Sequence, residues 1–145
     1  MQNMERDYGA WINMLSHKLK KRMNATLSTL NITGVQSRVM RYIIRHCQDG
    51  PVFQKDVEDA FGLSRSTATG ILQLLERDDI IQRENVAYDA RLKSLVPTEK
   101  ALELNAQVQG FVREIEGVLT QGISPGQLQV FLEVAAKMSE NLDAP

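Results

Sequence analysis

The sequence predicts a mainly α-helical protein with one small β-hairpin. Two short helices joined by a tight turn lead into the hairpin, and longer helices lie on both sides of that group. Three observations predict this. Apolar residues recur at helical spacing over most of the 145 residues. Cap signatures at Thr33, Gly62, Ser64, Thr98 and Ser124 cut the chain into segments. Only residues 80–97 change to short β-prone runs.

Residues 6–30 read as one helix, with Tyr8, Ile12, Leu15, Leu19, Met23 and Leu30 as its apolar stripe. Thr33-Gly34-Val35-Gln36 is a capping-box pattern and opens a second helix. Val39, Met40, Ile43 and Cys47 form its buried stripe, and Asp49-Gly50-Pro51 ends it. A short helix follows from about Lys55 to Phe61, with Val57, Ala60 and Phe61 inward. Gly62 fits the position after a helix where positive φ is needed. Ser64 is a good N-cap for a helix from Arg65 to about Asp78, whose apolar set is Ala68, Ile71, Leu72 and Leu75.

Ile80 to Val86 and Leu92 to Pro97 are the two β-prone runs, with Ala87 to Arg91 as a polar tip between them. Together they read as a hairpin, and Pro97 suits a strand end because it lacks a ladder donor. Thr98 caps a helix to about Gln121. Its Leu104, Val108, Phe111, Ile115 and Val118 follow a coiled-coil-like spacing. Gly122 breaks it, and Ser124-Pro125-Gly126-Gln127 starts the last helix. That helix places Leu128, Phe131, Leu132, Ala135, Met138 and Leu142 inward.

Composition narrows the function classes. A single cysteine cannot form an internal disulfide, which excludes a disulfide-stapled secreted scaffold. No apolar run approaches the ~18 residues that span a bilayer. The start, Met1 to Asp7, lacks the basic and apolar segments of a signal peptide, so a cytoplasmic location is expected. The formal charge of −1 gives no hint of a nucleic-acid partner. Its distribution is uneven: residues 1–31 carry net +3, residues 32–98 net zero, and residues 99–145 net −4. No Gly-rich phosphate loop, metal-ligand spacing or Gly-x-Ser-x-Gly elbow occurs, so no enzyme and no cofactor are expected.

The order short helix, tight turn, helix, hairpin is that of a winged helix-turn-helix. A major groove admits one helix whose N-terminal half meets the bases. Opposite its apolar stripe, the helix at 65–78 carries Ser66, Gly70, Gln73 and Arg77, with Thr69 beside them. All are small or hydrogen-bonding. Gly70 in mid-helix costs roughly 1 kcal/mol against Ala, and that cost needs a reason. Close approach of a sugar-phosphate backbone is one, and a tight helix crossing is the other. Arg65 at the helix start can meet a phosphate. Arg91 at the hairpin tip can enter a narrow minor groove, with Asp89 holding it in place.

Asp89-Ala90-Arg91 followed by Leu95-Val96-Pro97-Thr98, with Leu63-Ser64-Arg65-Ser66-Thr67-Ala68-Thr69-Gly70 upstream, resembles the MarR family of bacterial transcriptional regulators. The resemblance covers nearly the whole chain. Pro97 and Ala101 stand where the family usually has Leu and Gly. The resemblance implies a homodimer whose N- and C-terminal helices interlock and whose two winged lobes read a pseudo-palindromic operator in double-stranded DNA. The expected divisions are an N-terminal dimerisation helix at 1–31, a DNA-binding lobe at 32–98 and C-terminal dimerisation helices at 99–145. It implies base contact by Ser66, Thr69, Gly70 and Gln73, phosphate contact by Ser64, Arg65 and Thr67, and minor-groove contact by Arg91 with Asp89 positioning it. Gln36, Ser37 and Arg38 are weaker phosphate candidates. It also implies a repressor released by a small aromatic effector, with Tyr8, Trp11, Met14 and His17 as candidate pocket residues. Cys47 reads as packing rather than a redox sensor. His17 and His46 have no partner cluster, so no metal is expected. Two rival readings remain open: a winged helix used for protein interaction, and a helical ligand-binding dimer without DNA contact.

Overall fold

A computed structural model describes residues 7–145. Its elements are α1 (Tyr8–Ser28), α2 (Gly34–His46), α3 (Gln54–Phe61), α4 (Arg65–Arg77), β1 (Ile81–Val86), β2 (Asp89–Pro97), α5 (Glu99–Leu119) and α6 (Pro125–Asp143). This is the predicted mainly α architecture with its winged helix-turn-helix. The reading of the first six residues, and the start of the first helix at residue 6, lie outside the described residues. The chain divides into two compact units, one reaching to Val112 and one from Arg113 to Pro145.

Most element boundaries follow from cap chemistry. The Asp7 carboxylate accepts from Ala10 N at 3.0 Å and starts α1. Thr33 and Gln36 close both halves of a capping box on α2. Gly62 takes the left-handed conformation at φ 62°, which ends α3 and turns the chain into Ser64. Asp79, at φ 58°, does the same after α4. Ser124, Pro125 and Gln127 open α6 as the sequence predicts.

The core of the first unit gathers one stripe from each helix. Val39, Met40 and Ile43 of α2, Val57 of α3, and Leu72 and Leu75 of α4 are buried. They join Ile81 and Leu95 of the hairpin and Ala101 and Val108 of α5 in a single cluster. Burying a side chain of this size contributes roughly 1.5–3 kcal/mol. Leu27 is also fully buried, although the predicted α1 stripe passed over it for Leu30. The helix ends at Ser28, so Leu30 falls in the following turn and Leu27 is the last inward residue. Ala60 is exposed rather than inward, because the two-turn α3 buries only the Val57 and Phe61 side of its surface. Tyr42 stacks on His46 and meets the Phe61 ring edge-on, which ties α2 to α3.

The hairpin differs from its predicted form. The turn is only Ala87-Tyr88, and β2 starts at Asp89. Ile81 pairs with Pro97 and Asn85 with Lys93, but Val86 pairs with Asp89. Ala90, Arg91 and Leu92 therefore have no counterpart on β1 and form a wide bulge. Arg91 belongs to this bulge in the strand rather than to the turn. Leu95 N donates to Val52 O at 2.7 Å, which ties the hairpin base to the connector before α3.

The α4 to α5 connection is tightly bonded. Thr98 Oγ1 donates to Asp79 O at 2.7 Å and accepts from Ala101 N at 3.1 Å. Lys100 Nζ donates to Asp78 O at 2.7 Å, placing a cation at the α4 C-terminus. Pro97 ends its strand and Ala101 is wholly buried, so both departures from the family pattern are accommodated.

In the second unit, Ile115 is buried and Val118 is exposed. No residue of α6 is buried. Leu128, Ala135 and Met138 are half-buried, whereas Phe131 is 60% and Leu142 86% exposed, and Leu132 is exposed as well. These six were expected inward. The described residues leave much of this apolar face uncovered.

Candidate nucleic-acid interface

The N-terminal half of α4 is set by its cap. Ser64 Oγ accepts from Thr67 N at 3.2 Å and donates to Thr67 Oγ1 at 2.9 Å. Ser66 Oγ lies 3.3 Å from Ser64 Oγ. Ser64 is thus committed to capping, while the N–H groups of Arg65 and Ser66 remain at the helix start. Ser66, Thr67 and Gln73 are exposed, and Ala68 on the opposite side is fully buried.

Gly70 sits on the outer face between Ser66 and Gln73. A Cβ built on it meets no atom within 4 Å. A tight helix crossing, one of the two reasons for a mid-helix glycine, is therefore eliminated among the described residues. The space over Gly70 is open.

A cleft of about 570 Å³ lies between the start of α3, α4 and the hairpin bulge. Phe53, Gln54, Lys55, Glu58, Arg65, Thr69, Arg91, Leu92 and Lys93 line it. Four cations face one carboxylate there, an arrangement that favours an anion. Lys55 also pairs with Asp59 at 3.2 Å on the exposed surface of α3.

Arg91 is held by Asp89 in two ways. The Asp89 carboxylate accepts from the Arg91 backbone N at 2.9 Å, which folds the bulge. It also accepts from Arg91 Nε at 3.2 Å and Nη2 at 3.3 Å. The Arg91 side chain is nevertheless 90% exposed. These hydrogen bonds, first from the side chain and then from the backbone of Arg91, hold the Asp89 carboxyl below its ordinary value of 3.8.

The structure brings Arg65, Thr69 and Arg91 of the predicted set to one cleft. Arg77 is not among them: its Nε pairs with Asp78 at 3.2 Å at the far end of α4. Ser37 is buried and donates to Gly34 O, and Gln36 is taken up in the α2 capping box. Only Arg38 of that trio is exposed without such a commitment. The cleft adds Lys93 of β2, and also Gln54 and Lys55, which the sequence reading did not assign to a site. The one signal for Gln54 and Lys55 was an amide and a basic side chain at the start of a short helix preceding the turn.

Tyr8, Trp11 and His17 are exposed on α1, and Met14 is half-buried. Neither the large cleft nor the second cavity, about 190 Å³ beside Tyr42 and His46, is lined by any of the four. Cys47 is half-buried, with Sγ donating to Ile44 O. Among the described residues, no three His, Cys, Asp or Glu side chains gather as a metal site would require. No helix among them is long and apolar enough to cross a membrane.

Helix, left-handed glycine turn, helix and bulged hairpin, with a cationic cleft between them, define a winged helix-turn-helix protein. Residues 30–92 match the model of the MarR family. A structure of the Staphylococcus aureus MepR–DNA complex is 27% identical, with a TM-score of 0.80 over 92% of this chain and 97% of that one. MepR bound to ethidium bromide is also 27% identical, with a TM-score of 0.66 over 96% and 99%. The transcription regulator MarR from Oenococcus oeni is 25% identical, with a TM-score of 0.68 over 92% and 99%. The chain thus shares its fold, and over residues 30–92 its family pattern, with transcription regulators of the MarR family.

Proposed function

We propose that the chain is a cytoplasmic, homodimeric regulator that binds double-stranded DNA in a sequence-specific way and has no catalytic role. Recognition helix α4 enters the major groove, and the hairpin follows the adjacent minor groove. The observation that carries this reading is Gly70, an unfilled helix surface beside a cleft of four cations. Ser66, Thr69, Gly70 and Gln73 face the bases. Arg65 and Thr67 face phosphate, with Ser64 shaping the helix start they stand on. Arg91 reaches the minor groove from the bulge, oriented by Asp89. The MepR–DNA likeness supports the same placement.

The exposed apolar side chains of α6 and the first turns of α1 support a second copy of the chain as their cover. Residues 1–31 and 99–145 then serve dimerisation, and 32–98 the DNA-binding lobe. Two lobes related by a twofold axis suit a pseudo-palindromic operator. A small aromatic effector would release the repressor by favouring a lobe spacing that does not fit the operator. Tyr8, Trp11, Met14 and His17 are the candidate pocket residues, and the ethidium-bound likeness supports the aromatic class.

The test is Arg91→Ala binding to duplexes from the chain's own upstream region. Affinity should fall, and the salt dependence should become shallower by about one unit for each phosphate no longer neutralised. A wild type without salt-sensitive binding to any such duplex would sink the proposal in favour of a protein-interaction lobe.

A further inference from the structure

Gln54 opens α3, outside the helix that reads DNA in the proposal above, yet its side chain reaches that helix. Gln54 Nε2 donates to Thr69 Oγ1 at 2.8 Å and to Arg65 O at 3.3 Å. Thr69 Oγ1 itself donates to Arg65 O at 2.8 Å. The carbonyl of Arg65 can only accept, so the amide nitrogen rather than the amide oxygen must face it.

A hydroxyl has one hydrogen and two lone pairs. The hydrogen of Thr69 is used on Arg65 O, and one lone pair is used by Gln54. What remains is a single lone pair. Thr69 is left able to accept a hydrogen bond and unable to donate one. Gln54 Oε1 takes no hydrogen bond among the described residues and adds a second acceptor at the cleft both residues line.

We propose that Gln54 is a specificity-determining positioning residue, acting through Thr69. It fixes Thr69 as an acceptor, so the base facing Thr69 must offer an exocyclic amino group. In the major groove that group is N6 of adenine or N4 of cytosine. The acceptor-only edges there, guanine O6 and N7 and thymine O4, would meet a lone pair and be disfavoured. This inference rests on the placement of α4 in the major groove.

The test selects binding sites for the full-length protein from a randomised duplex pool. Wild type should enrich adenine or cytosine at one position of each half-site. In the selected duplex, adenine is then replaced by purine lacking the 6-amino group, or cytosine by pyrimidin-2-one. Wild type should lose about fivefold to tenfold in affinity at whichever base carries the contact. Thr69→Val keeps the side-chain shape and should lose less than about twofold on the same replacement. Gln54→Ala should flatten the base preference at that position and leave the salt dependence unchanged. Three results would overturn the proposal while DNA binding stands. They are an unchanged base profile in Gln54→Ala, a duplex lacking the amino group bound as tightly as its parent, or a uniform weakening for every sequence with the profile intact. Failure of wild type to bind any duplex with salt dependence would overturn both.

Discussion

Replacing Gly70 with alanine separates two roles that usually move together. The added methyl meets no atom within 4 Å, and Gly70 lies in the middle of α4 (Arg65–Arg77). Nothing in the fold opposes it. Alanine is favoured over glycine in a helix interior by roughly 1 kcal/mol, through the entropy the unfolded chain loses. For a chain of 145 residues that raises Tm by about 2–4 °C. On DNA the same methyl occupies the surface that the groove must approach. Forcing an extra carbon into a close-packed contact costs about 1–3 kcal/mol, or roughly fivefold to 150-fold in Kd. Thermal melting followed by circular dichroism reads the first effect, and fluorescence anisotropy with a labelled duplex reads the second. A more stable protein that binds DNA more weakly is the expected pair of results. A variant that is more stable and binds as tightly as wild type would refute the reasoning, since the glycine would then serve nothing at the groove.

Asp89→Asn removes a negative charge close to the phosphates, so simple Coulomb attraction would tighten binding. The positioning role gives the opposite sign: the guanidinium is released, and affinity measured by anisotropy should fall by up to about fivefold, the scale of an exposed ion pair. The Asp89 carboxyl should titrate below 3.8, and Arg91→Ala should bring it back up. Because the folded value is depressed, the latch contributes above the unfolded value and is lost only as pH falls through the folded one. A carbon-13 titration of the side chain checks both points. Phe131→Asp on the exposed face of α6 should shift the chain towards monomer in sedimentation velocity, leaving the helix content unchanged.

Cap chemistry made the order of elements legible. Thr33, Gly62, Ser64 and Ser124 act on their immediate neighbours, and each does what its residue type does locally. The inward sets of α2 and α4 were equally readable, because a helix of 13 residues shows its period plainly. Ala60 and Leu27 escaped because a two-turn helix and a helix end leave the stripe underdetermined. The wing bulge escaped for a different reason. Register is a property of two strands, and nothing in Ala90-Arg91-Leu92 alone says that β1 offers them no partner. The cleft was legible only in part. Arg65, Thr69 and Arg91 were found through helix position and the Asp-x-Arg pattern, whereas Gln54 enters through hydrogen bonds across 11 and 15 residues of chain. Arg77 looked equivalent on a helical wheel but stands at the far end of α4, beside Asp78. The apolar face of α6 was read as inward from its period, and the period is right. It is the covering layer that the described residues do not supply.

Hydroxyl-radical footprinting of the full-length protein on its preferred duplex tests the central claim most directly. Two equivalent protected segments, spaced by about 10 base pairs or a multiple of it, with minor-groove protection at the outer edges that disappears in Arg91→Ala, are the expected result. A single protected segment, or outer-edge protection unchanged in Arg91→Ala, would contradict the account of paired lobes reading DNA with helix and wing.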